Sequence, residues 1–492
     1  MVNELYIAVD LGAGSGRVFL CDLGAKFSLE EIHRFAYPPQ PENGFLRWDF
    51  AKIFDEIKTG LKNAARRAKQ INRKIYSLGV DSWAVDYGLL DRQGNLLANP
   101  VCYRDPRTAG AMEKVFERLP HRAIFEKTGI QFLNFNTIFQ LASEDGVLNR
   151  ASKLLLLPDL INYFLTGKIR AEYTNATTTQ LLNARTKNWD FELLEKLDLP
   201  ASLLPEIIPA GTDLGFLKGE IAAELDLENV RVVAPATHDT ASAVAGAPLA
   251  EHWAYISSGT WSLVGVELGE PLIDEQVARF NFTNEGGAFG TIRFLKNVMG
   301  LWIFESCRRE WKSRGVDVGY ETLLRETSAI KNFKGFIFPD DERFLNPPEM
   351  LGAIAEQMRE SGLYFDENPA AVCKIIFDSL AFRYASLLDA IRDLTGAKLA
   401  GVQLVGGGGR NDYLNQMTAN ASGLTVQSGL TEATVAGNAL VQAIAAGRFK
   451  DLDEARGFVR GNVSLKAFAP QELVDLSALR HIYRDVEAKY IK

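Results

Sequence analysis

LYIAVDLGAGSGRVFLCDLG, residues 5–24, reads as strand, tight glycine turn, strand. Tyr6, Ile7, Ala8 and Val9 form a short apolar run, and Arg17, Val18, Phe19, Leu20 and Cys21 a second one rich in β-formers. AYISSGTWSLVGVEL, residues 254–268, repeats the pattern. Residues 8–20 and 255–266 thus play the same structural part about 245 positions apart, with no low-complexity segment or long linker between them. Around these hairpins, helix alternates with strand. Residues 50–69 place Ile53, Ile57, Leu61 and Ala64 at helical spacing. Residues 75–97 read as two strands flanking a turn at 91–94, which sets Asp81 at a strand end, and residues 153–167 as a helix with a glycine stop. Residues 230–247 read as strand, loop, helix; residues 398–424 as strand, four glycines, helix; residues 434–447 as a helix rich in small residues. The expected architecture is α/β, two domains with a cleft between them and a boundary near 248–253.

Size and composition agree. Single cores stop growing at roughly 250–300 residues, so a chain of 492 should divide. It is 47% hydrophobic and 24% charged, with a net charge of -8, which argues against nucleic acid or an anionic membrane as partner. Four scattered cysteines without a CxxC argue against zinc and fit a reducing cytoplasm. The first residues, MVNELYIAVDLG, lack the basic start of a signal peptide, and no run of ~18 apolar residues predicts a membrane span.

Several residue groups could carry chemistry. In DLGAGSGR, residues 10–17, closely spaced glycines let backbone N–H groups approach an anion, and Arg17 could add charge; a plain hairpin turn is the alternative. The GxxxxGK[ST] phosphate loop is absent from the chain, and GxGxxG fails because Arg17 takes the third glycine's place and a strand follows. In SSGTWS, the hydroxyls of Ser257, Ser258 and Thr260 around Gly259 suit phosphate oxygens. The two loops together could hold one polyphosphate. Four consecutive glycines at 406–409 suit flat approach of a nucleotide base or sugar, or else a flexible loop. In PATHDTASAV, Asp239 either caps the next helix or accepts the proton of an attacking hydroxyl, since phosphoryl transfer needs little beyond positioning, Mg²⁺ and such a base. Asp10 and Asp81, at strand ends, could meet a metal through water. YTNATTTQLLN, residues 173–183, is a sugar-binding hydroxyl cluster or a set of turns and caps, and NEGG, residues 284–287, reads as a turn. Trp83, Trp261 and Trp302 read as core.

AVDLGAGSGRV, GVDSWAVDYGLLD, YRDPRT, GIQFLNFNT, EYTNATTTQLLN, THDTASAV, SSGTWSL, TNEGG, LKNVMGLW and LVGGGGRND occur in the order seen in the rhamnulokinase branch of the FGGY carbohydrate kinases, which the chain resembles over nearly its whole length. The resemblance implies two actin-like, ribonuclease H-like α/β domains flanking a catalytic cleft: 1–247 the N-terminal sugar-binding domain and 248–492 the C-terminal nucleotide-binding domain. It implies an ATP:ketose 1-phosphotransferase that makes L-rhamnulose 1-phosphate with Mg²⁺, acting in the cytoplasm as a monomer or small homo-oligomer. It implies Asp239 as general base, His238, Thr240 and Ala84 at the sugar, and Asn297 lining the nucleotide or sugar cleft as a substrate-binding residue. Ala13, Gly14, Ser15, Gly16 and Arg17 would lie at the ATP phosphates, Thr260, Gly407 and Gly408 at the nucleotide, and Asp10 at the metal through water. Two positions depart from the pattern: Ala84 replaces a glycine that contacts the sugar, and Glu305 replaces a glutamine near ATP. Another deoxyketose, chiefly L-fuculose, is a rival substrate, and an actin-like ATP-binding protein without sugar chemistry is a rival class.

Overall fold

The computed structural model describes residues 4–491 except 25, 145, 317, 473 and 474. The chain forms two compact units, one from Met1–Pro248, Glu267–Phe294 and Glu432–Val463, the other from Leu249–Val266, Leu295–Thr431 and Ser464–Lys492. It leaves the first unit after Pro248 and returns to it twice.

The first unit holds a six-stranded sheet. Its strands are β1 (Glu4–Gly12), β2 (Ser15–Leu23), β3 (Phe27–Ala36), β4 (Lys74–Ser82), β5 (Thr212–Phe216) and β6 (Arg231–Ala234), side by side in the order β5-β6-β4-β1-β2-β3. Every residue of β1 from Leu5 to Leu11 is buried, which explains an apolar run without alternation. The hairpin β1–β2 is antiparallel, while β1–β4 and β4–β6 are parallel. The helix Phe50–Gln70 starts where the Asp49 carboxylate accepts the Lys52 N–H at 3.0 Å, and it buries Ile53, Ile57, Leu61 and Ala64 as the periodicity predicts.

Two further helices, Asp239–Gly246 and Ala433–Ala445, meet backbone to backbone. A Cβ on Gly437 would lie 1.7 Å from the Ser242 carbonyl oxygen, and one on Gly246 would lie 2.1 Å from the Ala433 oxygen. This is the physical reason for the small-residue runs ASAVAG and TVAGNA: only glycine lets the two axes approach so closely. The second helix is tied to the sheet by Gln442, which accepts from Ser77 Oγ at 2.7 Å and donates to the Ile7 carbonyl at 3.0 Å.

The second unit repeats the opening motif. Strands β7 (Trp253–Ser258) and β8 (Trp261–Leu268) form an antiparallel hairpin, and β9 (Gly401–Val405) runs parallel to β7, as β4 does to β1. Next come β10 (Thr425–Ser428), parallel to β9, and β11 (Lys466–Phe468), antiparallel to β10. The helix Pro369–Thr395 is buried along most of its length; Asn368 caps its start and Gly396, at φ 69°, ends it.

Two local readings need correction. Residues 153–156 are not helix: Lys153–Leu156 is a strand paired with Tyr87–Leu90, and the helix begins at Leu157. The segment's four consecutive leucines fit either state by periodicity alone. Thr283–Gly286 is a strand rather than a turn, with Asn284 donating to the Gly129 and Leu272 carbonyls.

Candidate active site

Parallel pairing gathers the acidic residues at one end of the first sheet. Asp10 lies opposite Asp81 in the β1–β4 register, and Ser82 bridges to His238 just beyond β6, with the Ser82 N–H on the Thr237 carbonyl at 2.9 Å. Ligands of open α/β sheets gather at such carboxyl ends of strands. Asp10 accepts from Arg17, whose second nitrogen donates to Glu432. Asp81 is fully buried; its Oδ2 accepts from Asn438 at 2.5 Å, and its Oδ1 has no hydrogen-bond partner. Burial first, then the Asp10 charge, pushes the Asp81 carboxyl well above the usual carboxylate range.

Asp239 is the first residue of its helix, and His238 takes the N-cap position without a capping side-chain bond. The Asp239 carboxylate therefore does not cap the helix. Its Oδ1 accepts from the Thr240 N–H at 2.5 Å and from Thr240 Oγ1 at 3.1 Å. Burial first, then Asp10, raises its pKa to about 7, against the pull of the Thr240 bonds and of Arg293. With 30% of its side chain exposed, it can still reach a ligand. A carboxylate poised near neutrality at a helix N-terminus can exchange protons at working pH.

His238 Nε2 lies 3.4 Å from Asp239 Oδ1. Its Nδ1 lies 2.8 Å from the Arg293 guanidinium, which also pairs with Glu285 at 3.0 Å and donates from Nε to the Gly286 carbonyl at 2.9 Å. Burial and then Arg293 hold the imidazole pKa well below its usual value, so the ring is neutral. The preceding turn is held by Glu172, whose Oε2 accepts from the N–H and hydroxyl of both Thr174 and Thr237 at 2.5–3.0 Å. The hydroxyls of Thr177, Thr178 and Thr179 bond to backbone carbonyls three residues back, so within this cluster they serve as turn and cap bonds.

Ala84 is half-buried in a strained loop. The Asp86 N–H donates to the Ala84 carbonyl at 2.9 Å, closing a γ-turn about Val85 at φ 67°, a conformation that β-branched residues avoid. Asp86 locks the loop: it accepts from the indoles of Trp48 and Trp83 at 2.7 and 2.9 Å and from the Tyr103 N–H at 3.1 Å. Burial raises its pKa to about 6 despite these bonds.

In the β1–β2 turn, Ala13 and Ser15 are exposed, and Gly14 adopts φ 128°. Gly16 is buried, where a Cβ would meet the Phe35 ring at 2.4 Å, so its smallness serves packing. In the second unit Thr260 and Gly407 are exposed. Gly406 and Gly408 press on the neighbouring loop, with added Cβ atoms 2.7 Å from the Ser258 carbonyl and 2.0 Å from Ser258 Oγ. Two of the four glycines thus answer to protein packing, while Gly407 has open space around it. Gly408→Ala should cost about 1–3 kcal/mol in chemical denaturation, and Ser258→Gly in the same chain should restore most of it. Asn297 is half-buried on the strand Ile292–Met299, beside Lys296, whose pKa burial and then Arg383 lower to about 7. Glu305 is paired with Arg308 at 3.1 Å.

Comparison with known proteins identifies the family. The profile of the FGGY family of carbohydrate kinases matches as N-terminal domain over residues 5–246 and as C-terminal domain over residues 254–446. The chain belongs to the FGGY family of carbohydrate kinases. Within it, the rhamnulokinase of Bacteroides thetaiotaomicron is 41% identical over 96% of this chain and 97% of its own length. That of Bacillus subtilis is 40% identical over 95% and 96%. Among solved structures, the xylulose kinase from Rhodospirillum rubrum superposes with a TM-score of 0.81 at 17% identity, covering 99% of this chain and 98% of that one. The gluconate kinase from Lactobacillus acidophilus gives 0.80 at 18%, covering 99% and 97%. These structures confirm the two-domain α/β fold of the family's sugar kinases.

In this FGGY chain the first unit brings together Asp10, Arg17, Asp81, His238, Asp239 and Thr240. Sequence reasoning missed Glu172, Arg293, Glu432 and Asn438. Arg293 left one trace, a lone basic residue in the apolar run around Ile292 and Phe294.

Proposed function

We propose that this carbohydrate kinase transfers the γ-phosphate of ATP to the 1-hydroxyl of L-rhamnulose, giving L-rhamnulose 1-phosphate and ADP. The observation that carries the chemistry is the Asp239 carboxylate, poised near neutrality at a helix start with the neutral His238 beside it. Asp239 takes the hydroxyl proton as the oxygen attacks the γ-phosphorus; His238 and Thr240 orient the sugar. The Ala84 loop, fixed through Asp86, offers its backbone to the sugar. The choice of L-rhamnulose rests on relatives named rhamnulokinase at 38–41% identity over nearly the full length.

In the first unit we assign Ala13, Gly14, Ser15, Gly16 and Arg17 to the ATP phosphates, with Gly16 acting through the turn's shape. In the second unit we assign Thr260, Gly407 and Gly408 to the nucleotide and Asn297 to the substrate. Residues 1–247 would form the sugar-binding domain and 248–492 the nucleotide-binding domain, in a cytoplasmic monomer or small homo-oligomer. The four cysteines are free and buried, in keeping with a reducing compartment.

The residues present fit Mg²⁺. Asp10 and Asp81 set oxygen donors side by side at neighbouring strand ends, and Asp81 Oδ1 lacks a hydrogen-bond partner. Among the described residues no group of three ligating side chains could cage an ion. The ion would be carried by ATP and water, with Asp10 as its protein anchor. When bound, Mg²⁺ would neutralise phosphate charge.

The base assignment predicts a pH profile. The kcat/KM for L-rhamnulose should fall about tenfold per pH unit below pH about 7, as Asp239 takes up its proton, and level off above it. ADP release measured from pH 5.5 to 9 checks this; a flat profile would remove Asp239 as the base.

A further inference from the structure

We propose that Arg293 is a positioning residue that fixes His238 in its Nε2–H tautomer, making that histidine an obligate hydrogen-bond donor beside Asp239. A guanidinium has five N–H donors and no acceptor, so the nitrogen it faces must offer a lone pair. Arg293 is fully buried, and its terminal nitrogen sits 2.8 Å from His238 Nδ1. Nδ1 is therefore unprotonated, and the single proton of the neutral ring lies on Nε2. Arg293 cannot swing away: Glu285 pairs with the same terminal nitrogen at 3.0 Å and the Gly286 carbonyl holds Nε at 2.9 Å. Glu285 Oε2 is also 3.5 Å from Nδ1, so the groups facing the ring are Arg293, Glu285 and, at Nε2, Asp239.

The consequence is a matched pair. Nε2–H is a donor and Asp239 Oδ1, 3.4 Å away, is an acceptor, and both are open to a third group. One oxygen can stand within hydrogen-bond reach of both, and only a group that gives and takes a hydrogen bond satisfies both. A hydroxyl does this; an ether oxygen or a carboxylate does not. The site thus selects the hydroxyl class of acceptor through a residue that need not touch the substrate. This deepens the proposed function and, in its substrate part, rests on that reading.

The test is side-chain ¹⁵N NMR of the full-length protein, with His238 assigned by comparison with His238→Gln, alongside steady-state kinetics. The wild type should show Nδ1 as the unprotonated nitrogen and Nε2 as the protonated one at pH 7. In Arg293→Met that pattern should give way to mixed tautomers or a charged ring. The kcat/KM for L-rhamnulose should fall about 10- to 100-fold, mostly through KM, with little change in the KM for ATP. Glu285→Gln, which keeps the arginine, should retain the wild-type tautomer. A wild-type ring protonated on Nδ1 overturns the proposal even if Arg293→Met does not fold. So does an Arg293→Met protein with an unchanged spectrum and unchanged sugar kinetics. The predicted spectra without ketose-dependent ADP release would sink the kinase reading while supporting the tautomer assignment.

Discussion

Asp239→Asn should lower kcat for L-rhamnulose-dependent ADP release by about 10²- to 10⁴-fold, the usual contribution of a positioned base, while the sugar still binds. Asparagine keeps the size of the side chain and an oxygen that can accept the two Thr240 bonds, but it cannot take the substrate proton. Stability separates this outcome from misfolding. A carboxyl with an ordinary pKa near 3.8 when unfolded and about 7 when folded binds more protons in the native state between those values. Native stability therefore falls as pH rises through that window, and the loss is complete above about pH 7. Removing the charge removes the loss. Asp239→Asn should accordingly melt higher than the wild type at pH 8 and match it near pH 4. A variant both less active and less stable at pH 8 would speak for a structural role instead.

The second large effect concerns the platform that holds Asp239. Gly437→Ala should destabilise the first unit by about 3 kcal/mol, the upper end for overpacking, because the new methyl meets backbone rather than a side chain that could turn aside. It would lie 1.7 Å from the Ser242 oxygen and 2.7 Å from the Gly246 nitrogen. The helix displaced begins at Asp239, so sugar-dependent turnover should fall with stability. Gly457→Ala is the control: in the helix Leu452–Asn462 its methyl would meet only an arginine tip at 3.8 Å, and the change should be neutral or stabilising. Urea titration of the two variants measures the contrast.

The hairpins at the two strand–glycine–strand stretches were legible because turn chemistry and apolar runs agree there. The pairing of Asp10 with Asp81 was half legible: strand ends could be placed, but the register that sets them opposite each other depends on parallel pairing between distant segments. Asp239 stood out by its loop, yet the sequence alone does not say whether its carboxylate caps the helix. The glycines at 406–409 mixed two causes that sequence cannot separate, close packing on Ser258 and open space at Gly407. Arg293, Glu172 and Asn438 act through contacts with segments far apart in the chain, and apart from the lone basic residue at Arg293 no local pattern marks them. In the threonine cluster at 177–179 the hydroxyls donate to backbone carbonyls three residues back, which is turn and cap bonding.

Ketose phosphorylation with L-rhamnulose preferred is open to direct assay. The most direct measurement is ADP release with MgATP across L-rhamnulose, L-fuculose, L-xylulose, L-ribulose and glycerol, compared by kcat/KM. The highest value should belong to L-rhamnulose, with phosphate on its 1-hydroxyl. Preference for L-fuculose would contradict the substrate assignment and shift attention to Ala84 and its strained loop. Slow ATP hydrolysis indifferent to every sugar would contradict the account as a whole.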